Sequence, residues 1–506
     1  MTGLHATAGM NAMEAETPFW ARRNGVYFYC AVWHVAFALV AIFMRSALGY
    51  DDALEAYNVQ SLEWSYTPRN PSLYDWILYG LDRLTGSTAY SAPLLNYASM
   101  LACALLLYEL ARRVIDDRRL QVLSAYSLSL LWTMGFDFHP ILTHSKLMIA
   151  IIAATLLVIH ALGEERSLSK YIVLGVLIPF GLMAKYAYGL FLAAALLAAL
   201  AVPKYRVIVF DRRILLAGLI AVLPVAAVLA IDAAKSQAIV GTTIGVVKTG
   251  QDASLFEKSI RLGSAVTLFC MPFGAFFGWL YFRTDRVAPK PGPRDESFLR
   301  FTGLILLVGL AVMLFWSFGL GSAQVRARYF LCVFLVFPLF AFMVLDRYAV
   351  PARAARDYAI LTALTATAIF ALNLTSRLAP AETVCRNCRL SVPYRQLGDE
   401  LAARYGPTPT LVGHDIFEGG QLRAALPTAR VTTLVPKPYR PPAREAEHCV
   451  LVWQPGDDIA SDLARYGLTL QEDEGVTLQW WAPLLENARS TTFNLQKLPS
   501  GSQPCL

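Results

Sequence analysis

The chain has 506 residues, of which 56% are hydrophobic and 16% are charged. Soluble domains carry about 25% charged residues, so this composition excludes an ordinary soluble enzyme. The net charge of +7 does not indicate a nucleic-acid partner, because the Lys and Arg residues fall in loops between apolar segments, where they report membrane topology.

Recurring apolar segments predict an all-α polytopic membrane protein with about 11 transmembrane helices, since roughly 20 apolar residues cross a hydrocarbon core of about 30 Å. The predicted spans lie near residues 26–46, 91–111, 120–135, 140–161, 171–184, 186–202, 214–231, 263–282, 301–320, 329–345 and 358–376. The first has no visible cleavage site, so we interpret it as a retained helix.

Positive charge alternates between successive loops. The basic set includes Arg22-Arg23, Arg112-Arg113, Arg212-Arg213 and Arg353, and such loops stay in the cytoplasm. We therefore predict a multi-pass membrane protein with a cytoplasmic N-terminus, which would lie in the inner membrane if the host is a Gram-negative bacterium. The first long loop and everything after about Arg377 are predicted to be periplasmic.

The first outer loop, from about Ala47 to Tyr90, begins with a cluster of carboxylates. Asp51 and Asp52 follow the first span directly, and Glu55 shares a helical face with Asp51. We predict a helix over residues 52–64 and a second one opened by Pro71, both in the membrane interface with aromatic faces toward lipid. Carboxylates at this boundary can act as a base or a metal ligand. The alternative is a capping Asp beside a solvated one.

A second polar group begins between the third and fourth predicted spans and continues into the start of the fourth. It consists of Asp137, His139, His144 and Lys146. Ionisable residues at the ends of apolar helices are costly unless they are used, so we consider them candidate catalytic and substrate-binding residues. Lys146 can alternatively snorkel to the interface, and His139 can have a loop or capping role.

Cations form a third group on the same predicted side. Lys185 and Tyr186 lie between the fifth and sixth spans, and Arg326 and Arg328 precede the tenth. Such side chains suit a phosphate, although an interfacial Arg–Tyr anchor is an alternative. The basic, glycine-containing loop 232–262 is a candidate substrate lid or a simple cover of the bundle.

Together, the carboxylates and cations suggest the transfer of a group from a phosphate leaving group to a hydroxyl. The cations would stabilise the departing phosphate, and a carboxylate would accept the hydroxyl proton.

The tail changes character. We predict a transmembrane domain over 1–376 and a small periplasmic α/β domain over 377–506, with strands near 410–413, 430–435, 449–453 and 476–483 and helices near 420–426 and 459–466. Its cysteines, Cys385, Cys388, Cys449 and Cys505, favour disulfides in an oxidising compartment, with three pairings possible. A zinc site including His448 is the alternative.

Several short motifs, in order, carry a family resemblance. They are the acidic Tyr50-Asp51-Asp52-Ala53-Leu54-Glu55, Gln60-Ser61-Leu62-Glu63-Trp64-Ser65-Tyr66, Pro71-Ser72-Leu73-Tyr74-Asp75-Trp76, Leu142-Thr143-His144-Ser145, Gly181-Leu182-Met183-Ala184-Lys185-Tyr186, Arg326-Ala327-Arg328-Tyr329, and, in the tail, Gly419-Gly420-Gln421-Leu422-Arg423. The chain resembles the GT-C membrane glycosyltransferases, in the branch of the protein O-mannosyltransferases and the lipid A aminoarabinose transferase.

The resemblance implies a polyprenyl-phosphate sugar donor, an envelope lipid or saccharide acceptor, and inversion at the anomeric carbon. It places the family's acidic catalytic residue at Asp51, beside Asp52. A second acid is expected where this chain has Ile141, and Asp137 is the nearest replacement. Lys185 and Arg328 would bind the lipid phosphate. Members that transfer galacturonic acid to lipopolysaccharide suggest that sugar as the donor group.

Two other functions fit the composition. A flippase for polyprenyl lipids would show paired halves with broken helices, and the sequence has no clear internal repeat. A scaffold that only presents the tail would not need Asp51, Asp52 or Lys185. The sequence identifies no cofactor; it allows a divalent metal without requiring one.

Overall fold

The structure is a computed structural model that describes residues 18–234, 253–285, 295–320, 325–381, 388–471, 475–485 and 489–506. The chain forms two compact units. The first comprises Met1–Val35, Ala98–Phe138 and His144–Ala368, and the second comprises Ala36–Tyr97, His139–Thr143 and Ile369–Leu506. The predicted boundary between the transmembrane and periplasmic domains, at 376/377, does not coincide with a boundary between these units. Because the predicted boundary concerns membrane topology, it stays a prediction. Most of the predicted lid, residues 235–252, and Cys385 lie outside the described residues.

Helices dominate the chain before the tail. They are α1 (Arg23–Phe43), α2 (Tyr50–Asn58), α3 (Leu73–Thr85), α4 (Thr88–Val114), α5 (Arg118–Tyr126), α6 (Thr143–Glu164), α7 (Leu168–Ala184), α8 (Tyr188–Ala201), α9 (Pro203–Val209), α10 (Arg213–Ala234), α11 (Leu255–Cys270), α12 (Phe273–Phe282), α13 (Glu296–Leu314), α14 (Leu331–Phe334), α15 (Phe337–Leu345) and α16 (Ala352–Leu378).

Six helices of the described chain are long and apolar enough to cross a membrane: α1, α4, α6, α10, α13 and α16. The number rises to eight if two bent pairs each count as one span: α8 with α9, and Ala327–Phe334 with α15. The helices α7 and α12 are shorter apolar segments. The predicted mostly helical membrane fold is therefore confirmed, and the number of eleven spans stays a prediction.

The third predicted span is not one continuous helix. Helix α5 ends at Tyr126 and is followed by a 3₁₀ turn at Ser127–Leu130 and a π turn at Thr133–Asp137. Ser127 Oγ donates to Leu123 O at 2.7 Å, and Ser129 Oγ donates to Tyr126 O at 2.7 Å. Such side-chain bonds to the preceding turn compete with regular helix, so the apolar pattern overestimated the helix length.

Both helices predicted in the first outer loop form, with different boundaries and surroundings. Helix α2 ends at Asn58, and the Gln60 side chain that follows donates to Tyr57 O at 3.0 Å and to Val431 O at 2.9 Å. The prediction that the aromatic residues face lipid is wrong for Tyr57, which is 1% exposed, whereas Trp64 is 60% exposed. An amphipathic pattern shows that one face is covered but not what covers it.

The tail contains the predicted α/β structure. Its sheet has the order β2-β1-β3-β5-β4, with β1 (Thr410–Gly413), β2 (Arg430–Thr433), β3 (Cys449–Trp453), β4 (Gly475–Gln479) and β5 (Ser490–Leu498). Strand β1 pairs in parallel with β2 and β3, while β5 is antiparallel to β3 and β4. Helices α17 (Tyr394–Tyr405), α18 (Ile416–Ala425) and α19 (Ile459–Ala464) accompany the sheet. The prediction missed β5 and α17.

The core of the tail lies on both faces of this sheet. Leu411 and Val450 face a cluster with Leu397 of α17, whereas Val412 and Leu451 face a cluster with Leu463 of α19. This alternation is the period of two that strands impose. Cys449 and Cys505 form a disulfide, and Cys388 is also disulfide-bonded, as the disulfide interpretation predicted.

Candidate active site

Asp52 is the anchored member of the carboxylate pair on α2. Its Oδ2 accepts from Arg45 Nη1 at 2.9 Å, and its Oδ1 accepts from Asn96 Nδ2 at 3.0 Å. Tyr74 in turn donates to Asn96 Oδ1 at 2.8 Å. Asp52 and Arg45 are 7% and 6% exposed, so this is a buried ion pair whose members need each other. The network fixes the rotation of α2.

Asp51 is the less buried of the two carboxylates. It is half-buried, and its Oδ2 accepts from the backbone N–H of Leu142 at 2.6 Å. A carboxylate held by a backbone amide keeps a defined orientation and still has lone pairs for a proton. Asp51 therefore has the geometry of an acid or base, whereas Asp52 has that of its support.

Glu55 and Asp75 form a second carboxyl pair. Asn58 Nδ2 donates to Glu55 Oε2 at 3.1 Å and lies 3.5 Å from Asp75 Oδ1. Burial, followed by the charge of Glu55 and a hydrogen bond with it, raises the pKa of Asp75 well above its usual range. Two buried carboxyls of this kind share one proton or bind a cation. This is where a divalent metal would fit in the second unit.

The tail helix α18 packs directly on the helix that carries these carboxylates. A Cβ built on Gly420 would lie 1.7 Å from Ala53 O and 2.4 Å from the carbonyl carbon of that residue. Ala53 and Ala56 are fully buried, against Phe417 and Ala424. Only glycine permits this approach of two helix backbones, so the tail positions α2.

Two glutamines from the sequence motifs join the loop to the tail. Gln421 accepts from Leu48 N at 2.7 Å and donates to Leu48 O at 2.9 Å. Gln60 likewise accepts from Val431 N at 2.8 Å and donates to Val431 O at 2.9 Å. Each amide therefore satisfies both backbone groups of one residue, and this explains the Gln residues of both motifs.

His139 is a packed core side chain of the second unit. It is 7% exposed, its ring stacks on Phe37 with centroids 3.5 Å apart, and its Nδ1 is 3.1 Å from Tyr97 Oη. These contacts favour a structural role, and the predicted role in substrate binding stays a prediction.

The predicted phosphate ligands lie in the first unit. Lys185 ends α7 half-buried, and its Nζ donates to Ser145 Oγ at 2.7 Å. Arg328 is half-buried in the turn before α14. Burial raises the pKa of Asp137, while the Trp132 indole and the charge of Arg328 oppose the increase. Asp137 and Arg328 are therefore close enough to interact electrostatically, and their predicted roles as second acid and phosphate ligand stay predictions.

The remaining candidates of this unit differ in exposure. His144 and Lys146, 3% and 2% exposed, are buried at the start of α6, and His144 Nδ1 lies 3.2 Å from Ala184 O. Tyr186 is half-buried and Arg326 is exposed. The first unit thus brings His144 and Lys185 to neighbouring helix ends, while the second unit brings Asp51, Asp52 and Glu55 together. Their meeting in one pocket stays a prediction.

Sequence reasoning missed three supports of the site. Arg45 and Asn96 hold Asp52, and neither belongs to a motif. Arg377, 1% exposed, interacts electrostatically with Asp52 and Tyr97, and its Nη1 has no hydrogen-bond partner among the described residues. The sequence signal that could have identified Arg377 is a charged residue within the apolar helix α16, because such residues are costly in a membrane unless they are used.

One further cluster has metal-ligand composition but holds its own cation. His160, Glu164 and Asp295 lie within coordination distance of one another, and Lys204 Nζ is 2.6 Å from Glu164 and 2.7 Å from Asp295. The ammonium group satisfies both carboxylates, so we interpret this cluster as an ion-pair network.

The chain is similar in sequence to known glycosyltransferases. Residues 69–231 match the family described as dolichyl-phosphate-mannose-protein mannosyltransferase. The chain is 24% identical over 416 residues to the lipopolysaccharide core galacturonosyltransferase RgtB of Rhizobium johnstonii, covering 80% of this chain and 82% of the relative. It is 25% identical over 479 residues to RgtA of the same organism, covering 89% and 93%.

The fold is shared with a solved membrane-protein structure. The structure of ArnT from Cupriavidus metallidurans bound to undecaprenyl phosphate superposes with a TM-score of 0.59 at 14% identity, over 93% of this chain and 98% of that one. Together, the sequence and fold matches confirm the resemblance to GT-C membrane glycosyltransferases that the ordered motifs indicated.

Proposed function

We propose that the protein transfers a sugar from a polyprenyl-phosphate donor to a hydroxyl of the lipopolysaccharide core or lipid A, with inversion, at the periplasmic face of the bacterial inner membrane. Homology to glycosyltransferases that act on the lipopolysaccharide core supports the reaction class and acceptor. The same relatives support galacturonic acid as the transferred sugar, and the undecaprenyl phosphate bound to ArnT supports a lipid-phosphate donor.

The observation that carries this proposal is the unequal treatment of two adjacent carboxylates. Asp52 is neutralised by Arg45 at 2.9 Å, while Asp51 is held through one oxygen and remains partly exposed. In the proposed reaction Asp51 accepts the proton of the acceptor hydroxyl as its oxygen attacks the anomeric carbon. The bond from that carbon to the phosphate oxygen breaks, and polyprenyl phosphate leaves.

The leaving group needs cations, because negative charge develops on the phosphate oxygen. Lys185 and Arg328 are the proposed donors of this stabilisation. Asp137, the proposed second acid, interacts with Arg328 and would keep that guanidinium oriented. A divalent cation, if bound, would be held by Glu55 and Asp75 and would supply further positive charge to the site.

The test is Asp51→Asn in purified protein reconstituted in nanodiscs, with a labelled polyprenyl-phosphate sugar and lipopolysaccharide as substrates. The Asn side chain can still accept from Leu142 N, so an unchanged melting temperature is expected. We expect transfer to fall by about 10²–10⁴-fold, the usual contribution of a general base. Full turnover by this variant would remove Asp51 from the mechanism. Mass spectrometry of lipopolysaccharide from cells with and without the protein would identify the sugar.

A further inference from the structure

A cavity of about 430 Å³ lies within the second unit, between the end of α1, the α3–α4 turn and the tail helices α17 and α18. Sites for small ligands usually enclose about 300–1,000 Å³, so this volume accommodates one or two sugar rings. The proposed mechanism does not use this cavity.

The floor of the cavity is buried and polar. It contains the Arg45 guanidinium, Ser46 and Gln421, all among the buried residues. Arg45 gives Nη1 to Asp52, but its Nη2 reaches Ala89 O only at 3.4 Å, near the limit of a hydrogen bond. Arg carries five donors, so the guanidinium of this lining residue has donors left for an anion beyond its bonds to Asp52 and Ala89.

The mouth of the cavity is exposed and mixed. Tyr90 is 41% exposed, and Arg395 and Asp399, one turn apart on α17, are also exposed. Ser87 and Thr85 add hydroxyl groups to the wall. The lining thus holds an aromatic ring, several hydroxyls, two guanidiniums and the carboxylate of Asp399. The ring can pack on a sugar face, the carboxylate can accept from sugar hydroxyls, and arginine can bind a carboxylate or phosphate of the saccharide bidentately.

We propose that this cavity binds an acidic unit of the acceptor saccharide, with Arg395 at the mouth and Arg45 at the floor as the anion ligands. The inference rests on the proposed function and extends it, because it gives the tail a share in acceptor recognition. Arg45 lines the cavity and binds Asp52, so an acceptor seated here lies one side chain away from Asp52, which supports the proposed base Asp51.

The experiment uses the full-length protein in nanodiscs and two exposed substitutions, Arg395→Gln and Tyr90→Ala. Each is expected to raise the acceptor KM by about tenfold or more, the loss of about 1.4 kcal/mol in binding, while the donor KM and kcat stay at the wild-type values. Arg404→Gln, on the exposed side of the same helix α17, is the matched control and should leave the acceptor KM unchanged.

Direct binding separates this inference from the proposed function. Saturation-transfer NMR with delipidated core oligosaccharide should give binding that weakens with Arg395→Gln. Carboxyl-reduced and dephosphorylated oligosaccharides show which anion is recognised. Weaker binding of either one, compared with the unmodified oligosaccharide, supports the site. The anion site is refuted if both neutralised saccharides bind as tightly as the unmodified oligosaccharide, or if both variants keep the wild-type acceptor KM. Either result leaves the transferase function intact. Oligosaccharide binding without any sugar transfer by the wild type would keep the site and refute the function.

Discussion

Gly420→Ala tests whether the tail positions the catalytic helix. The added Cβ would stand 1.7 Å from Ala53 O, and both atoms belong to helix backbones, so no side-chain rotation relieves the overlap. Ordinary contact requires α2 and α18 to separate by about 1.5 Å, and insertion of a group into a packed region typically costs about 1–3 kcal/mol. Because a misplacement of about 1 Å can cost about 10²-fold in rate, the proposed position of Asp51 predicts a loss of that order in kcat.

The assay is sugar transfer from the polyprenyl-phosphate donor, measured alongside thermal unfolding so that lost activity is not mistaken for lost fold. Gly80→Ala is the matched control. Gly80 lies inside α3, and a Cβ there meets nothing within 4 Å, so alanine should be neutral or stabilise the helix by about 0.5–1 kcal/mol. If Gly420→Ala folds and turns over at the wild-type rate, the tail does not set the geometry of α2.

Two other predictions concern the donor site and pH. Lys185→Met and Arg328→Met should each raise the donor KM at least about tenfold, as expected for loss of a charged phosphate contact; a donor titration that gives wild-type values would exclude them as phosphate ligands. In the tail, burial raises the pKa of Glu418 from 4.5 to about 8. The folded protein therefore binds the Glu418 proton more tightly than the unfolded chain does. The resulting contribution to the free energy of unfolding is complete below pH 4.5 and is lost as the pH rises to about 8, by about 1.4 kcal/mol per pH unit. Between pH 5 and 8, the decrease of the melting temperature with pH should therefore be smaller in Glu418→Gln than in the wild type. An equal decrease in both proteins would contradict the raised pKa of Glu418.

The sequence predicted the features that local pattern determines. The apolar segments located most of the long helices, and the acidic motif located α2 within a few residues. Strands β1 and β3 matched their predicted ranges because short runs such as Thr410–Gly413 are β-branched or apolar and fully buried. Strand β5 was missed, since Thr491, Asn494 and Gln496 give it a polar composition.

The supports of the candidate site could not be predicted in the same way, because they depend on pairs far apart in the chain. One oxygen of Asp52 binds Arg45, which is near in sequence, whereas the other oxygen accepts from Asn96, which lies within the apolar helix α4. The backbone of Leu48 is bound by Gln421, 373 residues later. One sequence records neither pairing, since a local pattern contains no information about distant contacts.

The joined loop and tail give a physical reason for the motif at Gly419-Gly420-Gln421. Gly420 lets α18 approach Ala53, while Gln421 binds both backbone groups of Leu48 just before α2 begins. The tail therefore holds α2 at its start and along its side, and Arg45–Asp52 holds it from within. A helix with fewer than ten residues is not stable alone, so a chain that uses α2 to carry its acid must supply such supports from elsewhere. The tail is thus part of the catalytic apparatus in the proposed mechanism, and its removal should abolish transfer even if the membrane helices still fold.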